Sequence, residues 1–428
     1  MCRIRDELAD VMKILLCHNY YQQPGGEDLS FAAEVSLLES RGHTVTRYTV
    51  HDDVIDQMRR LEVAARTLWN RQTYRELRTL IRRERPAVVH CTNIFPLISP
   101  AAYYAARHEG VPVVQSLRNY RLMCPKALLM RKGSICEACL HRRLAWPGIW
   151  HACYRNSRLG SAVVAGMATV HRMLGTWKRA VDLYFTLTES ARHKFIEGGF
   201  PPEKILVKPN FLDPDPGAGD GKGGYAVFVG RLSAEKGIAT LLECWNEFKV
   251  PLPLKIIGDG PLAPQVQQAA TTNNAITWLR GQPHENVLSE IGDATHLVMP
   301  SLCYETFGRT IIEAFAKGTP AIVSRLGAMA ELVDDGRTGL HFEAGNAADL
   351  ANRIELLLAD PVRLAEMRLA ARREYKTKYT ADRNYQLLMH IYDQAGATAR
   401  GESTRRPVGI CRESDRPVER PPEPTDSP

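Results

Sequence analysis

Short apolar runs that end in polar residues, each followed by a helix-like segment, recur along this chain and leave few folds open to it. The first run is VMKILLCHNYY from Val11. It leads into QQPGGEDLSFAAEVSLLESRG, a Gly-rich turn and an amphipathic helix ending at Gly42. HTVTRYTV then alternates like a strand, and AVVHCTN (87–93) and VPVVQSLRN (111–119) repeat the apolar-then-polar form. Strands alternating with helices predict a parallel sheet covered by helices on both faces. In such sheets ligands gather outside the carboxyl ends of the strands. Asn19, Gly25, Gly26, His90, Asn93, Arg118 and Asn119 therefore fall along one rim.

The pattern pauses at KPNFLDPDPGAGDGKGGY (208–225), whose Gly, Pro and Asp read as a linker. It resumes with YAVFVGRLSAEKGIATLLECW and continues through PLKIIGDGP, AITWLRG, THLVMPS and TPAIVS. A chain of 428 residues exceeds one ordinary domain. The expected division is an extension at 1–11, a first α/β domain at 12–214, a second at 215–395 ending in a helix, and a polar, Pro-rich disordered tail at 396–428. No repeat of fixed period is present.

No apolar run approaches the ~18–20 residues of a membrane span. SAVVAGMATV (161–170) is too short and reads as a packed helix. Asp6, Glu7 and Asp10 interrupt what would be a signal peptide's apolar core, so the expectation is a cytoplasmic protein. Its ten cysteines are then thiols or metal ligands. The net charge of +7 is uneven: residues 58–86 hold nine arginines against three glutamates. That segment reads as a solvated helix face or as an attraction to an anionic membrane surface or to phosphate-bearing ligands. No nucleic-acid motif accompanies it, so nucleic acid is not an expected partner.

Three segments carry chemistry. In FVGRLSAEKG, Arg231 and Lys236 sit in a turn between a strand and a helix. Two cations beside a helix N-terminus suit a phosphate, and a basic capping loop is the plainer alternative. In IIGDGP, Gly258 and Gly260 follow a strand and would let backbone approach a ligand, although a tight turn accounts for them equally. In ETFGRTIIEAFAKGTP, Glu305 precedes a helix start and Glu313 lies on the helix. The amides of Phe307, Gly308 and Arg309 would face a phosphate or a sugar oxygen, and a carboxylate such as Glu313 can accept both hydroxyls of a ribose diol.

Taken together, these motifs resemble family 4 of the retaining glycosyltransferases, the glycosyl transferases group 1, over roughly residues 12–395. The resemblance implies the GT-B architecture, with two Rossmann-like domains facing across a cleft. It implies that Arg231 and Lys236 hold the donor diphosphate and that Glu305 lies near the donor sugar, these three being the catalytic candidates. It places Glu313 on the ribose, Phe307 and Gly308 as amide donors, Arg280 and Gly281 beside the nucleobase, and Gly25 and Gly26 on the diphosphate from across the cleft. It further implies a transfer that needs no catalytic metal. Where many relatives carry a His after the VVQSL strand this chain has Arg118, a permanent cation that cannot act as a base. Arg118, Asn119 and His90 are the acceptor-side candidates.

The DPD at 213–215 is read as linker and not as a metal site, since it lies between prolines. Cys124, Cys136, Cys139 and Cys153 form a Cys-rich insertion near 124–153 that either holds a structural zinc, with His141 and His151 in reserve, or is a cluster of free thiols. The expected reaction moves a sugar from a nucleotide-diphosphate sugar to the hydroxyl of a glycan or lipid-linked acceptor in cell-envelope, exopolysaccharide or glycolipid synthesis. The inner face of the cytoplasmic membrane is the expected peripheral location. The alternatives are a UDP-sugar epimerase on a similar scaffold and a nucleotide-sugar-binding protein without catalysis.

Overall fold

Two six-stranded sheets organise the computed structural model, which describes residues 11–22, 25–248 and 250–402. The first half contributes β1 (Lys13–Tyr20), β2 (Thr44–His51), β3 (Val88–Asn93), β4 (Val113–Leu117), a small hairpin of β5 (Met130–Arg131) and β6 (Ser134–Ile135), β7 (Leu183–Thr186) and β8 (Ile205–Val207). Apart from the hairpin they form one parallel sheet in the order β2-β1-β3-β4-β7-β8. The second half contributes β9 (Ala226–Val229), β10 (Leu254–Ile257), β11 (Ile276–Arg280), β12 (His296–Met299), β13 (Ala321–Ser324) and β14 (Gly339–Phe342). These form a second parallel sheet in the order β11-β10-β9-β12-β13-β14.

The central strands read as unbroken apolar runs because helices cover both of their faces. Every residue of β3, β4, β12 and β13 is buried. In each sheet the strand order reverses once, beside β1 and β3 in the first sheet and beside β9 and β12 in the second. Such switch points open a crevice at the carboxyl ends of the strands. GRLSAEKG follows β9 and ETFG follows β12, so topology alone brings the two motifs side by side.

The helix Ala381–Ala399 departs from expectation. It was expected to close the second domain, but it packs on the first domain's β3, β4 and β7. Tyr392 OH lies 2.9 Å from His90 Nδ1, and Asn384 Nδ2 donates to Pro209 O at 2.6 Å. Its apolar face, Leu388, Ile391, Tyr392 and Ala395, is buried. The first domain offers it an uncovered sheet face, whereas helix Pro361–Lys378 already covers helix Arg309–Lys317 of the second. Residues 396–399, expected in the tail, belong to this helix. The rest of the tail from 403 and the extension at 1–10 lie outside the described residues.

Candidate functional site

Lys236 and Glu305 meet at the second domain's switch point. Lys236 Nζ donates to Glu305 Oε1 at 2.6 Å, and Ser301 Oγ donates to the same oxygen at 3.0 Å. A Cβ at Gly237 would stand 1.8 Å from Pro300 O, so only glycine lets the loop after β9 close on the end of β12. Burial opposes the Lys236 ammonium, but Glu305 outweighs it and holds Lys236 above its usual range. Arg231 is exposed and makes no ion pair or side-chain hydrogen bond among the described residues, which leaves its fork for a ligand.

Helix Arg309–Lys317 begins at Gly308, and the amides of Phe307, Gly308 and Arg309 have no acceptor among the described residues. The Phe307 ring is buried and meets Tyr379 edge-on at 6.3 Å, which holds the turn that aims those amides. Glu313 is only 5% exposed and receives Arg309 Nε at 3.1 Å. Burial raises its pKa, and Arg309 and His284 act against that. Gly258 and Gly260 have positive φ, and Cβ atoms there would meet Gly230 O at 2.0 Å and Leu232 O at 2.6 Å. The GRLS loop packed against them therefore already requires glycine at both positions. Arg280 stacks over Trp278 with its guanidinium 4.8 Å from the ring, and Gly281 beside it is exposed.

On the first domain, Gly25 caps helix Gly26–Ser40, and its N–H donates to Asp28 Oδ2 at 2.8 Å. A Cβ at Gly25 or Gly26 would touch nothing within 4 Å, so packing within the chain does not demand glycine there. Next to them lies a carboxylate that sequence reasoning missed. Glu27 accepts from Asn119 Nδ2 at 2.7 Å and from Tyr21 OH at 3.2 Å, and burial pushes its pKa up. Asn119 thus meets the first turn of the helix that Gly25 caps. His18, also missed, is buried between Asp28 Oδ1 (2.8 Å) and Thr92 Oγ1 (2.7 Å) and stacks on Phe31. Neither partner set could be read from spacing, because Asn119 and Thr92 arrive from other strands.

Two acceptor-side candidates are corrected. His90 is fully buried against Tyr392 and Phe185, away from the rim. Arg118 is 6% exposed, and its guanidinium is committed to Glu34 (2.8 Å) and Asn210 (2.7 Å). Glu34 also accepts from Lys208 Nζ at 2.7 Å, so one buried carboxylate serves two buried cations. Burial alone would raise the Glu34 pKa, but Lys208 and Arg118 outweigh it and hold it at about 2. The same burial pulls Lys208 down.

These shifts define a pH profile. Burial lowers His90 from 6.5 to about 4, so its share of stability is complete above 6.5 and is lost as pH falls through that window. Burial raises Asp52 from 3.8 to about 6, so its share is gained as pH falls through that window. The two shifts are of similar size and opposite sign, and they nearly cancel, but burial also lowers His296 from 6.5 to about 3, so its share is lost as pH falls below 6.5. Glu34, lowered from 4.5 to about 2, adds a second loss below 4.5. Urea midpoints are expected to decline as pH falls from 6.5 and to fall more steeply below 4.5. A decline as steep above pH 4.5 as below it would contradict this assignment.

Cys124, Cys136, Cys139 and Cys153 line one small cavity with His151. None of the four forms a disulfide, and burial with neighbouring thiols pushes Cys139 up to about 11. Among the described residues no three His, Cys, Asp or Glu side chains stand at metal-ligand spacing. The same insertion reaches the loop that carries Glu305: Glu137 pairs with Lys194 at 2.8 Å, and Lys194 lies 5.0 Å over the ring of Tyr304, next to Glu305.

The strands' carboxyl ends face each other through direct contacts. Thr306 Oγ1 donates to Arg118 O at 2.7 Å, and Thr188 Oγ1 donates to Thr306 O at 3.2 Å. Glu331 accepts the amides of Glu189 (2.8 Å) and Ser190 (2.7 Å), capping a first-domain helix from the second domain.

Comparison with known proteins supports this arrangement. The model for a glycosyl transferase 4-like domain matches residues 25–210, and the model for glycosyl transferases group 1 matches residues 213–376. The alpha-maltose-1-phosphate synthase of Mycolicibacterium smegmatis is 31% identical over 186 residues, 40% of this chain and 48% of that protein. The glycogen synthase of Mycobacterium tuberculosis is 30% identical over 188 residues, 42% and 44% of the two chains. The chain thus spans about half the length of the curated relatives it matches. Among solved structures, the sucrose-phosphate synthase of Thermosynechococcus elongatus superposes with a TM-score of 0.67 at 16% identity, over 90% of this chain and 99% of that one. HepE of Anabaena superposes with a TM-score of 0.62 at 16% identity, over 89% and 100%. The two family models meet at the linker and between them take in the whole second sheet and all but β1 of the first, which identifies this chain, with its GT-B fold, as a glycosyl transferase 4-like domain joined to a glycosyl transferases group 1 domain.

Proposed function

We propose that this protein transfers a sugar, with retention, from a nucleotide-diphosphate sugar to an acceptor hydroxyl in cell-envelope, exopolysaccharide or glycolipid synthesis. The observation that carries the reading is the convergence of Lys236, Glu305 and the free amides at 307–309 on one switch point beside the exposed Arg231. Departure of the nucleoside diphosphate is the costly step, and preorganised donors stabilise its growing charge. Arg231, Lys236 and the helix N-terminus serve that role from one side, and the amide of Gly26 from the other. The leaving phosphate takes the acceptor's proton on the same face, which fits retention. Glu27 and Asn119 are the polar pair on the acceptor side. HepE has been solved with UDP and with UDP-glucose, so a uridine nucleotide is the first donor to try.

Calorimetric titration of UDP, GDP and ADP tests the donor site. One nucleotide is expected to bind in the micromolar range. Arg231→Ala and Glu313→Ala should each weaken it by about 10- to 100-fold, the worth of one charge-assisted contact. If none of the three binds, the reading falls.

A further inference from the structure

The insertion between β4 and β7 has an uneven composition. Between Glu137 and Asp182 there is no acidic residue, but there are six arginines and one lysine. It folds as helix Trp146–Trp150 packed on helix Arg158–Met173, which packs in turn on helix Arg60–Leu68. Helix Arg158–Met173 buries Val164, Ala165, Met167 and Ala168. Its other face is also apolar. Positions 159, 163, 166, 170 and 173 are three or four apart and so share one side. Leu159 and Met173 on that side are each 80% exposed, and Val170 is 44% exposed.

The segment before the helix widens this face. Thr169 Oγ1 donates to Arg143 O and Arg172 Nη1 donates to Arg142 O, both at 3.2 Å, which lays residues 142–143 along the helix's C-terminal half. At the other end the Arg158 guanidinium lies 5.3 Å over the Trp150 ring, while Arg142 covers Trp146 at 5.1 Å. Trp146 and Trp150 are 50% and 64% exposed. Tryptophans under guanidinium groups beside an exposed aliphatic stripe suit the boundary between headgroups and acyl chains, where long cationic side chains reach the phosphates.

We propose that this face, centred on helix Arg158–Met173 with Trp146 and Trp150, docks on an anionic lipid bilayer. A second copy of this chain is a poor occupant, because a two-fold contact would bring like-charged patches together. Nucleic acid would leave the aliphatic stripe in water. In the Arg-rich segment at 58–86, the first expectation for membrane contact, four of the nine arginines are ion-paired: Arg78 and Arg82 with Glu109, Arg66 with Glu62 and Arg83 with Glu84. No helix of the described residues is long and apolar enough to cross a membrane, so the attachment is peripheral. The docking face stands apart from the nucleotide site and is tested without turnover.

Flotation of the full chain with vesicles of phosphatidylcholine, alone or with about 30% phosphatidylglycerol, decides the matter. The protein is expected to float with the anionic vesicles, to float poorly with the neutral ones and to be released by salt. Leu159→Asp with Met173→Asp should cut the floated fraction about tenfold, and Trp150→Ala should cut it less. These side chains are exposed, so an unchanged urea midpoint confirms the fold, and Trp150→Ala serves as the second variant if the aspartates disturb it. Three results would overturn the proposal: no flotation with anionic vesicles at low salt, equal flotation of the aspartate variant, or a dimer in solution that Leu159→Asp dissolves.

Discussion

Replacing Glu34 with alanine is expected to destabilise the protein by about 3–5 kcal/mol, the usual cost of stranding buried charge. Arg118 and Lys208 would be left facing each other in the interior with no counter-ion. The loss should be large because Glu34 ties together pieces far apart in the chain: helix Gly26–Ser40, the end of β4, the start of the linker and, through Asn384 on Lys208, helix Ala381–Ala399. Lys208→Met gives the contrast. It leaves Glu34 with Arg118, so its cost should be nearer the about 1–3 kcal/mol of one lost polar partner. Urea unfolding of both variants at pH 7 reads the difference. Equal losses would mean that packing, not charge balance, sets the value of this cluster.

Lys236→Ala is expected to lower kcat by about 10²–10³, the scale set by removing one preorganised donor to a developing anion. The effect should fall on kcat more than on KM, because the ammonium's contribution grows as the diphosphate departs. Lys236→Arg should recover part of the rate, since it restores the charge with altered geometry. The assay is release of nucleoside diphosphate from the donor that calorimetry selects, with and without acceptor. Unchanged turnover in the alanine variant would remove Lys236 from the chemistry and leave its pairing with Glu305 as a structural bond.

Much of this layout is legible in the sequence where the cause is local. Apolar runs gave the strands, and the Gly, Pro and Asp cluster at 208–225 marked the join at which the family models meet. Lys236 and Glu305 were found because each follows a strand, and parallel topology then sets them together. Arg118 was misassigned for the opposite reason. It also follows a strand, but its partners Glu34 and Asn210 lie 84 and 92 residues away, and no local pattern announces a buried counter-ion. Nothing local in the sequence sets Glu27 apart, because Asn119, which meets it, lies 92 residues away. The stretch at 161–170 was read as a packed helix, which is true of one face. Apolar residues on both faces leave no periodicity from which to tell that the other meets solvent.

Helix Ala381–Ala399 has a consequence for recombination. It leaves the second domain along the chain and rests on the first domain's sheet, so the boundary in space crosses the sequence twice. A chimera that exchanges the second domain between relatives by one cut in the linker would pair a foreign Tyr392 and Asn384 with the native His90, Pro209 and Lys208. Two cuts, one near Leu212 and one near Thr380, keep that contact native and make the second domain a replaceable cassette.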